Sequence, residues 1–413
     1  MDHRETLQQL FRAALERVGG RPAVRHALED DPPAGAVHLL AIGKAASAMT
    51  QGALDALDDR IASGLVVTKT DHLGRAVAED PRFRCMETAH PIPDGSSLAA
   101  GAAVVAFLDE LADDAELVVL ISGGASSLVE LLPEGLTADH LAELNQWLLG
   151  QHLAIDGINA VRRAISRIKG GRLARHLRGR RTRLLLISDV PGDDPAVIGS
   201  GLFVPSAGSG TLPGDLPAWA REAAKAVPAP PAADDPALAG LTRSLVATNA
   251  DALDAVEERG RRLGLSVQVH REQLAGDALR AGEAIADQLV HGAAGIHVWG
   301  GEPTVALPDN PGQGGRAQAL ALTAAACMEG HRGVWLLAAG TDGTDGPGNA
   351  AGALVDHQTC FRGRQAGLDP DVSLEAADSG RFLEASGDLL RTGPTGTNVM
   401  DVVIGLKDSG EGR

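Results

Sequence analysis

Short apolar runs alternate along this chain with longer segments in which apolar residues recur at every third or fourth position. Such runs are typical of buried strands, and the periodic segments are typical of amphipathic helices. The predicted strands are residues 37–42, 64–68, 117–121, 184–187, 265–270, 295–299, 334–339 and 402–406. The predicted helices are residues 4–18, 45–57, 96–111, 137–150, 158–177, 249–262, 276–291, 316–328 and 380–390. This alternation predicts an α/β fold in which helices cover a parallel sheet.

A change of composition between about Leu212 and Gly240 is the best candidate for a domain boundary. The stretch is rich in Pro, Ala and Asp and includes Pro228-Ala229-Pro230-Pro231, which is typical of a connection between domains. The 413 residues are enough for two or three domains. We predict an N-terminal Rossmann-like α/β domain, residues 1–235, and a smaller C-terminal α/β domain, residues 236–413.

Several of the predicted strands end in glycines, hydroxyl residues or charged residues. These strand ends are Gly43-Lys44, Ser122-Gly123-Gly124, Ser188-Asp189, Gly300-Gly301-Glu302 and the Thr-Asp-Gly repeat at 341–346. In open α/β sheets, ligands bind outside the carboxyl ends of the strands, so these loops are expected to converge. Glycines and hydroxyls before a helix offer amides and hydroxyls to a phosphate. The set therefore predicts phosphate chemistry, with carboxylates for magnesium and cations for the transferring group.

The Thr-Asp-Gly repeat follows a predicted strand, and the chain after it, at 350–354, is predicted to resume as a helix. Glycine lets backbone amides approach an anion, and Asp342 or Asp345 at a strand end can hold a hard cation. The alternative is a tight Asp-Gly turn with no ligand.

The other candidates also have ordinary structural interpretations. Lys44 could start a helix with its head in solvent, Ser122 to Gly124 could be a helix cap, and Asp189 could cap the helix near Pro195. Arg316 could be an ordinary surface arginine.

Two further groups are given structural interpretations. His72 and His90 are interpreted as loop or core histidines. Arg162, Arg163, Arg167 and Lys169 are interpreted as the solvated basic face of a helix.

Composition narrows the class of protein. The formal net charge of −17 argues against nucleic acid or an anionic membrane as the partner. No apolar run reaches ~18 residues, so no transmembrane helix is predicted. The three cysteines lack paired spacing, which favours reduced thiols over disulfides or zinc. With a charged N-terminal segment unlike a signal peptide, these features predict a cytoplasmic protein.

The standard nucleotide and hydrolase motifs are absent from the sequence. Gly43-Lys44 lacks the earlier glycine of a Walker A loop, and Ala45 follows the lysine. No G-x-G-x-x-G follows the first predicted strand, which argues against a nicotinamide dinucleotide enzyme. The chain also has no G-x-S-x-G, no H-E-x-x-H and no protein-kinase motif set.

Taken together, a series of segments resembles, in order, the glycerate 2-kinases that contain a MOFRL domain. The segments are AIGKAASAM (41–49), ETAHPIPD (87–94), LVVLISGGASSL (117–128), INAVRRAISRIKGGRLA (158–174), LISDVPGDDPAVIGSG (186–201), WGGEPTV (299–305), GGRAQALAL (314–322), LAAGTDGTDGPGNAAGALVD (337–356) and LEASGDLLRTGPTGTNVMDVVI (383–404). The resemblance implies two α/β domains with an active cleft between them. It also implies transfer of the ATP γ-phosphoryl, with Mg²⁺, to the 2-hydroxyl of D-glycerate or a similar hydroxy acid, giving 2-phosphoglycerate and ADP. We expect a monomer or a homodimer.

The resemblance also implies roles for individual residues. Lys44 and Arg316 match cations that hold substrate and phosphoryl group, and Asp189 is assigned as the base or a metal-orienting residue. Asp342 or Asp345 is assigned to magnesium, with Asp342 preferred. The residues implied in nucleotide binding are Ser122, Gly123, Gly124, Ser126, Thr341, Asp342, Gly343, Thr344 and Asp345.

The chain departs from the family pattern beside these positions. Ala125 stands where the family has a third glycine, and Ala317 and Ala319 replace Asn and Glu after the arginine. Leu202-Phe203 replaces Pro-Thr, and Lys69-Thr70-Asp71-His72 replaces Lys-Tyr-Gly-His. Two alternatives therefore stay open: a hydroxypyruvate or tartronate-semialdehyde reductase, and a relative that binds nucleotide and sugar acid with weakened catalysis.

Overall fold

The computed structural model describes residues 2–151, 155–206 and 212–409. Its helices are α1 (His3–Val18), α2 (Gly20–Asp30), α3 (Ala46–Leu57), α4 (Arg75–Ala78), α5 (Gly95–Glu110), α6 (Ala125–Leu128), α7 (Ala138–Gly150), α8 (Ile155–Ile165), α9 (Ala218–Ala226), α10 (Asn249–Arg262), α11 (Ala278–His291), α12 (Arg316–Cys327), α13 (Thr359–Gln365), α14 (Pro370–Glu375) and α15 (Ser379–Ser386). Its strands are β1 (Val37–Ile42), β2 (Ile61–Lys69), β3 (Phe83–Thr88), β4 (Glu116–Ile121), β5 (Thr182–Ile187), β6 (Leu241–Ala247), β7 (Val267–Val269), β8 (Gly295–Gly301), β9 (Val334–Gly340), β10 (Gly352–Asp356), β11 (Leu389–Leu390) and β12 (Asp401–Lys407).

The chain forms two structural units, each with its own sheet. Residues 20–246 form one unit, called here the parallel-sheet unit, and residues 2–19 with 247–409 form the other, the mixed-sheet unit. These sheets with their covering helices confirm the predicted α/β fold. Among the described residues, no helix is long and apolar enough to cross a membrane.

The parallel-sheet unit has the strand order β3-β2-β1-β4-β5-β6. Strands β1 to β5 pair with their neighbours in parallel, so their carboxyl ends share one edge of the sheet. The order reverses between β1 and β4, and such a switch point opens a crevice for ligands beyond the strand ends.

Strands β3 and β6 lie at the two ends of this sheet, and the hydrophobic pattern did not predict them. Four consecutive residues of β6, from Thr242 to Leu245, are exposed, and β3 includes the exposed Arg84 and Glu87. An edge strand keeps polar side chains in solvent and so lacks the apolar run of a central strand.

The mixed-sheet unit has the order β11-β10-β9-β12-β8-β7, in which β12 runs antiparallel to both β8 and β9. Strand β10 is antiparallel to β9, and all five of its residues are buried. The prediction of a helix at 350–354 is therefore wrong. A short apolar run in this position fits a strand or a helix equally well, and pairing with β9 decides for the strand.

Helix α1 belongs with the C-terminal part of the chain. Its buried residues include Leu7, Leu10 and Phe11, and it packs on α10. Arg4 donates hydrogen bonds to Asp356 Oδ2 at 2.9 Å, to Leu354 O at 2.8 Å and to Asp388 Oδ1 at 3.0 Å. The units thus differ from the predicted domains, 1–235 and 236–413, in the placement of this helix and in that of residues 236–246, which belong to the parallel-sheet unit. An amphipathic pattern shows that one face is buried but not which core buries it.

Replacing Arg4 with glutamine should destabilise the protein. Asp388 is buried, and although Arg362 also binds it, the variant loses one of its two charged partners. We expect the free energy of unfolding to fall by about 1–3 kcal/mol, as measured by urea denaturation. The control is Arg12→Gln, an exposed arginine on the same helix, with an expected change within about 0.5 kcal/mol. Equal effects of the two substitutions would contradict this account of α1.

Candidate active site

In the parallel-sheet unit, the loops that follow β1 and β4 are hydrogen-bonded to each other. The backbone N–H of Lys44 donates to Gly123 O at 2.9 Å, and the N–H of Ala45 donates to Ser122 Oγ at 3.0 Å. These are the loops on the two sides of the switch point. The structure therefore brings together Lys44 and the Ser-Gly-Gly segment, as the strand-end pattern predicted.

Two glycines make this close approach possible. At Gly43, φ is +137°, and an added Cβ would lie 2.1 Å from Ser122 Oγ, so no larger residue fits. At Gly124, φ is +83°, and an added Cβ would lie 3.1 Å from His90 Nε2 and 3.2 Å from Lys44 Cγ. The side chains of Lys44 and His90 therefore both lie against Gly124.

His90 is a residue whose place the sequence interpretation missed. It stands in the loop after β3, and as a single histidine in a proline-containing loop it gave no signal of its own. Its position beside Lys44 and Gly124 follows from the sheet order, which places β3 at the same carboxyl edge. The structure confirms a loop histidine and adds that this position of the loop lies beside Gly124 at the candidate site.

The loop that follows β4, residues 122–126, is called here the glycine-serine loop, and its serines take different positions. Ser122 is fully buried, and its hydroxyl oxygen accepts the N–H of Ala45, so it holds the two loops together. Ser126 is half-buried, and its Oγ lies 2.7 Å from Oγ of Ser200, from the segment that follows β5. Asp189 also follows β5, is half-buried, and lies at the same edge of the sheet.

Two of the departures from the family pattern in this unit, Ala125 and Leu202-Phe203, fill core space behind the loops. Ala125 is buried, and a Cβ added to Gly199 would lie 3.1 Å from the methyl of Ala125. Leu202 and Phe203 belong to the same apolar cluster as the strands. These substitutions thus change the packing behind the candidate site.

In the mixed-sheet unit, Arg316 is the first residue of α12 and is held by two carboxylates. Its Nε and Nη2 donate to Asp401 Oδ2 and Oδ1 at 2.6 and 2.9 Å, and its Nη1 lies 2.7 Å from Glu302 Oε1. Burial alone would lower the pKa of Arg316, but the hydrogen-bonded charge of Asp401, with Glu302, raises it above the ordinary value. The interpretation as an ordinary surface arginine is therefore wrong.

Asp345 fixes the start of the same helix. One of its oxygens accepts Ala317 N at 3.1 Å, and the other accepts Gln318 N at 2.8 Å and Gln318 Nε2 at 3.0 Å. Burial raises the pKa of Asp345 to about 6, and the charge of Asp401 adds to this rise. Because both oxygens of Asp345 bind α12, its observed contacts are those of a helix cap.

Asp342 belongs to the same Thr-Asp-Gly loop and accepts hydrogen bonds from within it. Its Oδ1 accepts the N–H of Thr344 at 2.9 Å and the hydroxyl of Thr344 at 3.0 Å, an Asp-Gly turn of the expected kind. A Cβ added to Gly340 would lie 3.4 Å from Asp342 Oδ1 and 3.5 Å from Asp401 Oδ1. Two carboxylates thus approach the same point beside Gly340.

The Thr-Asp-Gly loop is hydrogen-bonded to the segment that precedes β12. Thr341 is buried, and its hydroxyl donates to Met400 O at 2.6 Å and accepts Val399 N at 2.8 Å. At Gly343, φ is +87°, and an added Cβ would lie 2.0 Å from Gly393 O. The hydroxyl of Thr341 therefore donates one hydrogen bond and accepts another, and the segment before β12 holds the Thr-Asp-Gly loop in position.

Comparisons with known proteins match most of the chain. A family model described as a domain of unknown function, DUF4147, matches residues 6–212, and the MOFRL family model matches residues 295–401. The chain is 36% identical over 381 residues to a D-glycerate 2-kinase of Thermotoga maritima, covering 90% of each protein. It is also 36% identical over 418 residues to an Agrobacterium vitis protein provisionally named hydroxypyruvate reductase, covering 97% of this chain and 93% of that one. The crystal structure of Thermotoga maritima glycerate kinase matches with a TM-score of 0.81 and 32% identity, over 98% of this chain and 99% of that one.

The raised pKa of Asp345 predicts a pH-dependent contribution to stability. Because the pKa of about 6 lies above the ordinary 3.8, the folded state binds this proton more tightly than the unfolded chain. The contribution is fully present below about pH 4 and is lost as the pH rises through about 6.

The comparison of wild type with Asp345→Asn isolates this group, because asparagine does not titrate. In urea denaturation, the wild-type free energy of unfolding should fall relative to the variant by about 2–3 kcal/mol between about pH 4 and about pH 8. A difference between the two proteins that stays constant with pH would contradict the prediction.

Proposed function

Because the chain belongs to the glycerate 2-kinase family, whose members carry the DUF4147 and MOFRL domains, we propose that it is an ATP-dependent D-glycerate 2-kinase. The proposed reaction transfers the γ-phosphoryl of ATP to the 2-hydroxyl of D-glycerate and gives 2-phosphoglycerate and ADP. The observation that carries the proposal is the convergence of Lys44, His90 and Gly124 beyond the strand ends of the parallel-sheet unit. A cation beside glycine amides at a switch point suits a phosphoryl group.

In this proposal, the cations stabilise charge and the loops position the phosphates. Phosphoryl transfer needs in-line positioning and charge neutralisation more than covalent chemistry. Lys44 binds the transferring group from the glycine-serine loop, and Arg316, whose orientation Asp401 fixes, supplies a second positive charge. Asp189 accepts the proton of the 2-hydroxyl or orients the metal.

A carboxylate beside Gly340 fits a magnesium ion carried by the nucleotide. Among the residues that the structure describes, no group of three His, Cys, Asp or Glu side chains could hold a metal ion alone. Magnesium needs only one or two carboxylates where substrate phosphates and water complete its shell. Asp342 suits that role, whereas both oxygens of Asp345 bind α12 and both oxygens of Asp401 bind Arg316.

The reductase alternative has a name among the relatives but little support in the site. The loop after β1 contains Gly43 and no further glycine before α3, so it lacks the dinucleotide fingerprint. We therefore retain it only as an outcome of the assay below.

The proposed reaction predicts which phosphoglycerate is formed. The purified protein, given Mg²⁺, ATP and D-glycerate, should yield a product that enolase alone converts to phosphoenolpyruvate, because enolase acts on 2-phosphoglycerate. A product that requires phosphoglycerate mutase before enolase would contradict transfer to the 2-hydroxyl. Oxidation of NADH or NADPH by hydroxypyruvate, without phosphorylation of glycerate, would support the reductase instead.

Removing either proposed cation should lower the rate without unfolding the protein. We expect Lys44→Met and Arg316→Gln each to lower kcat/KM for D-glycerate by about 100-fold or more, because each removes a positive charge from a preorganised site. The controls are Lys225→Met and Arg332→Gln, exposed residues in the same two units, with expected kinetics near wild type. Near-normal kinetics in both site variants would refute the assignment.

A further inference from the structure

A second group of charged side chains lies inside the parallel-sheet unit. Lys169 is 1% exposed, and its ammonium group pairs with the carboxylate of Glu130, whose side chain is 2% exposed. Lys169 follows α8 rather than belonging to it. The interpretation of this lysine as part of a solvated helix face is therefore wrong.

Glu130 has a partner for each of its oxygens. Oε1 accepts the hydroxyl of Ser166 at 2.5 Å and the N–H of Leu131 at 2.9 Å, and Oε2 accepts the ammonium of Lys169. Both oxygens of this carboxylate are thus occupied by Lys169 and by its neighbours Ser166 and Leu131.

Arg162, on α8, is a second cation. It lines the same cavity as Glu130 and Lys169, and its Nη2 lies 3.4 Å from Asn145 Oδ1, a long hydrogen bond. Burial lowers the pKa of Arg162, and the charge of Glu130 opposes this only in part. Of the described residues that line the cavity, Glu130 is the one carboxylate. A buried lysine and a half-buried arginine therefore share the single negative charge of Glu130, an arrangement that favours an added anion.

The cavity is shared by these charged groups and by residues that follow Gly124. Its volume is about 10 Å³, about enough for one water molecule, and Ser126 and Ser127 line it together with the charged groups. Both serines belong to the helix that follows Gly124, against which Lys44 and His90 lie. An anion at this place would be adjacent to the glycine-serine loop.

We propose that Arg162 is a substrate-binding residue whose guanidinium, with the hydroxyl of Ser126, binds the carboxylate of the hydroxy acid. The inference rests on the proposed function and names the part of the substrate that this cavity takes. Arginine presents a planar pair of donors that matches a carboxylate. A planar carboxylate suits this small cavity better than the tetrahedral bulk of a phosphate. The charges of Arg162, Lys169 and Glu130 are then balanced only when the acid is bound.

The test separates the binding of the acid from the binding of the nucleotide. In Arg162→Gln we expect KM for D-glycerate to rise by about 10-fold to 100-fold, while KM for ATP stays within about twofold of wild type. Arg162→Lys keeps the charge without the planar fork and should give a smaller rise. Arg167→Gln, which removes an exposed arginine from the following segment, is the matched control and should match wild type.

Ser126→Ala keeps the test informative should the arginine variants fail to fold. It removes one hydroxyl from the same cavity and leaves the charged groups in place, and KM for D-glycerate, measured at saturating ATP, should again rise. A KM for D-glycerate that is unchanged in the folded variants, or an equal rise of KM for ATP in Arg162→Gln, would overturn the inference.

Direct titration calorimetry distinguishes failure of this inference from failure of the proposed function. Wild-type protein should bind D-glycerate, and Arg162→Gln should bind it at least about 10-fold more weakly. Wild-type protein that binds D-glycerate but does not phosphorylate it would refute the proposed kinase activity and leave the proposed role of Arg162 intact. A wild type that phosphorylates D-glycerate, with equal binding by the variant, would refute the pocket alone.

Discussion

The close contact between the loops after β1 and β4 is the constraint on which the candidate site depends. The strand order reverses between these two strands, so their loops diverge from a common crevice. Gly43 allows Ser122 to approach, and the bonds from Lys44 N and Ala45 N then fix one loop on the other. A residue with a side chain at Gly43 would separate the loops, and Lys44 would lose its place beside Gly124.

The mixed-sheet unit positions its charged groups with carboxylates that surround the start of one helix, α12. Asp345 satisfies the first amides of α12, and Asp401 orients the guanidinium of Arg316, the first residue of that helix. In a chain with a net charge of −17, this arrangement holds a cation at a defined point. The whole-chain charge argues against polyanionic partners, while these local cations still suit a small anionic substrate.

The sequence predicted the central strands and the strand-end loops well, because both have strong local signals. An apolar run marks a buried strand, and a Gly-Lys or Ser-Gly-Gly segment after it marks a loop at its carboxyl end. The edge strands β3 and β6 were missed because their exposed positions carry polar residues. The short β10 was predicted as a helix because its pairing with β9, which decides its structure, is not a local property.

Side-chain roles were harder to predict than elements, because they depend on partners distant in sequence. Lys169 resembled a solvated lysine until Glu130, 39 residues away, was seen beside it. Asp345 and Asp342 are equivalent in the sequence repeat, and only the position of α12 separates a helix cap from a candidate metal ligand. His90 carried no signal until the sheet order placed it at Gly124.

The most direct test of the account is the proton-coupled phosphorus NMR spectrum of a reaction that contains the protein, Mg²⁺, ATP and D-glycerate. The account predicts loss of the ATP γ-phosphate signal and a new phosphomonoester doublet, because the phosphorus of 2-phosphoglycerate couples to the single proton on C2. A triplet, which arises from the two protons on C3, would contradict transfer to the 2-hydroxyl. An unchanged ATP spectrum would contradict the kinase itself.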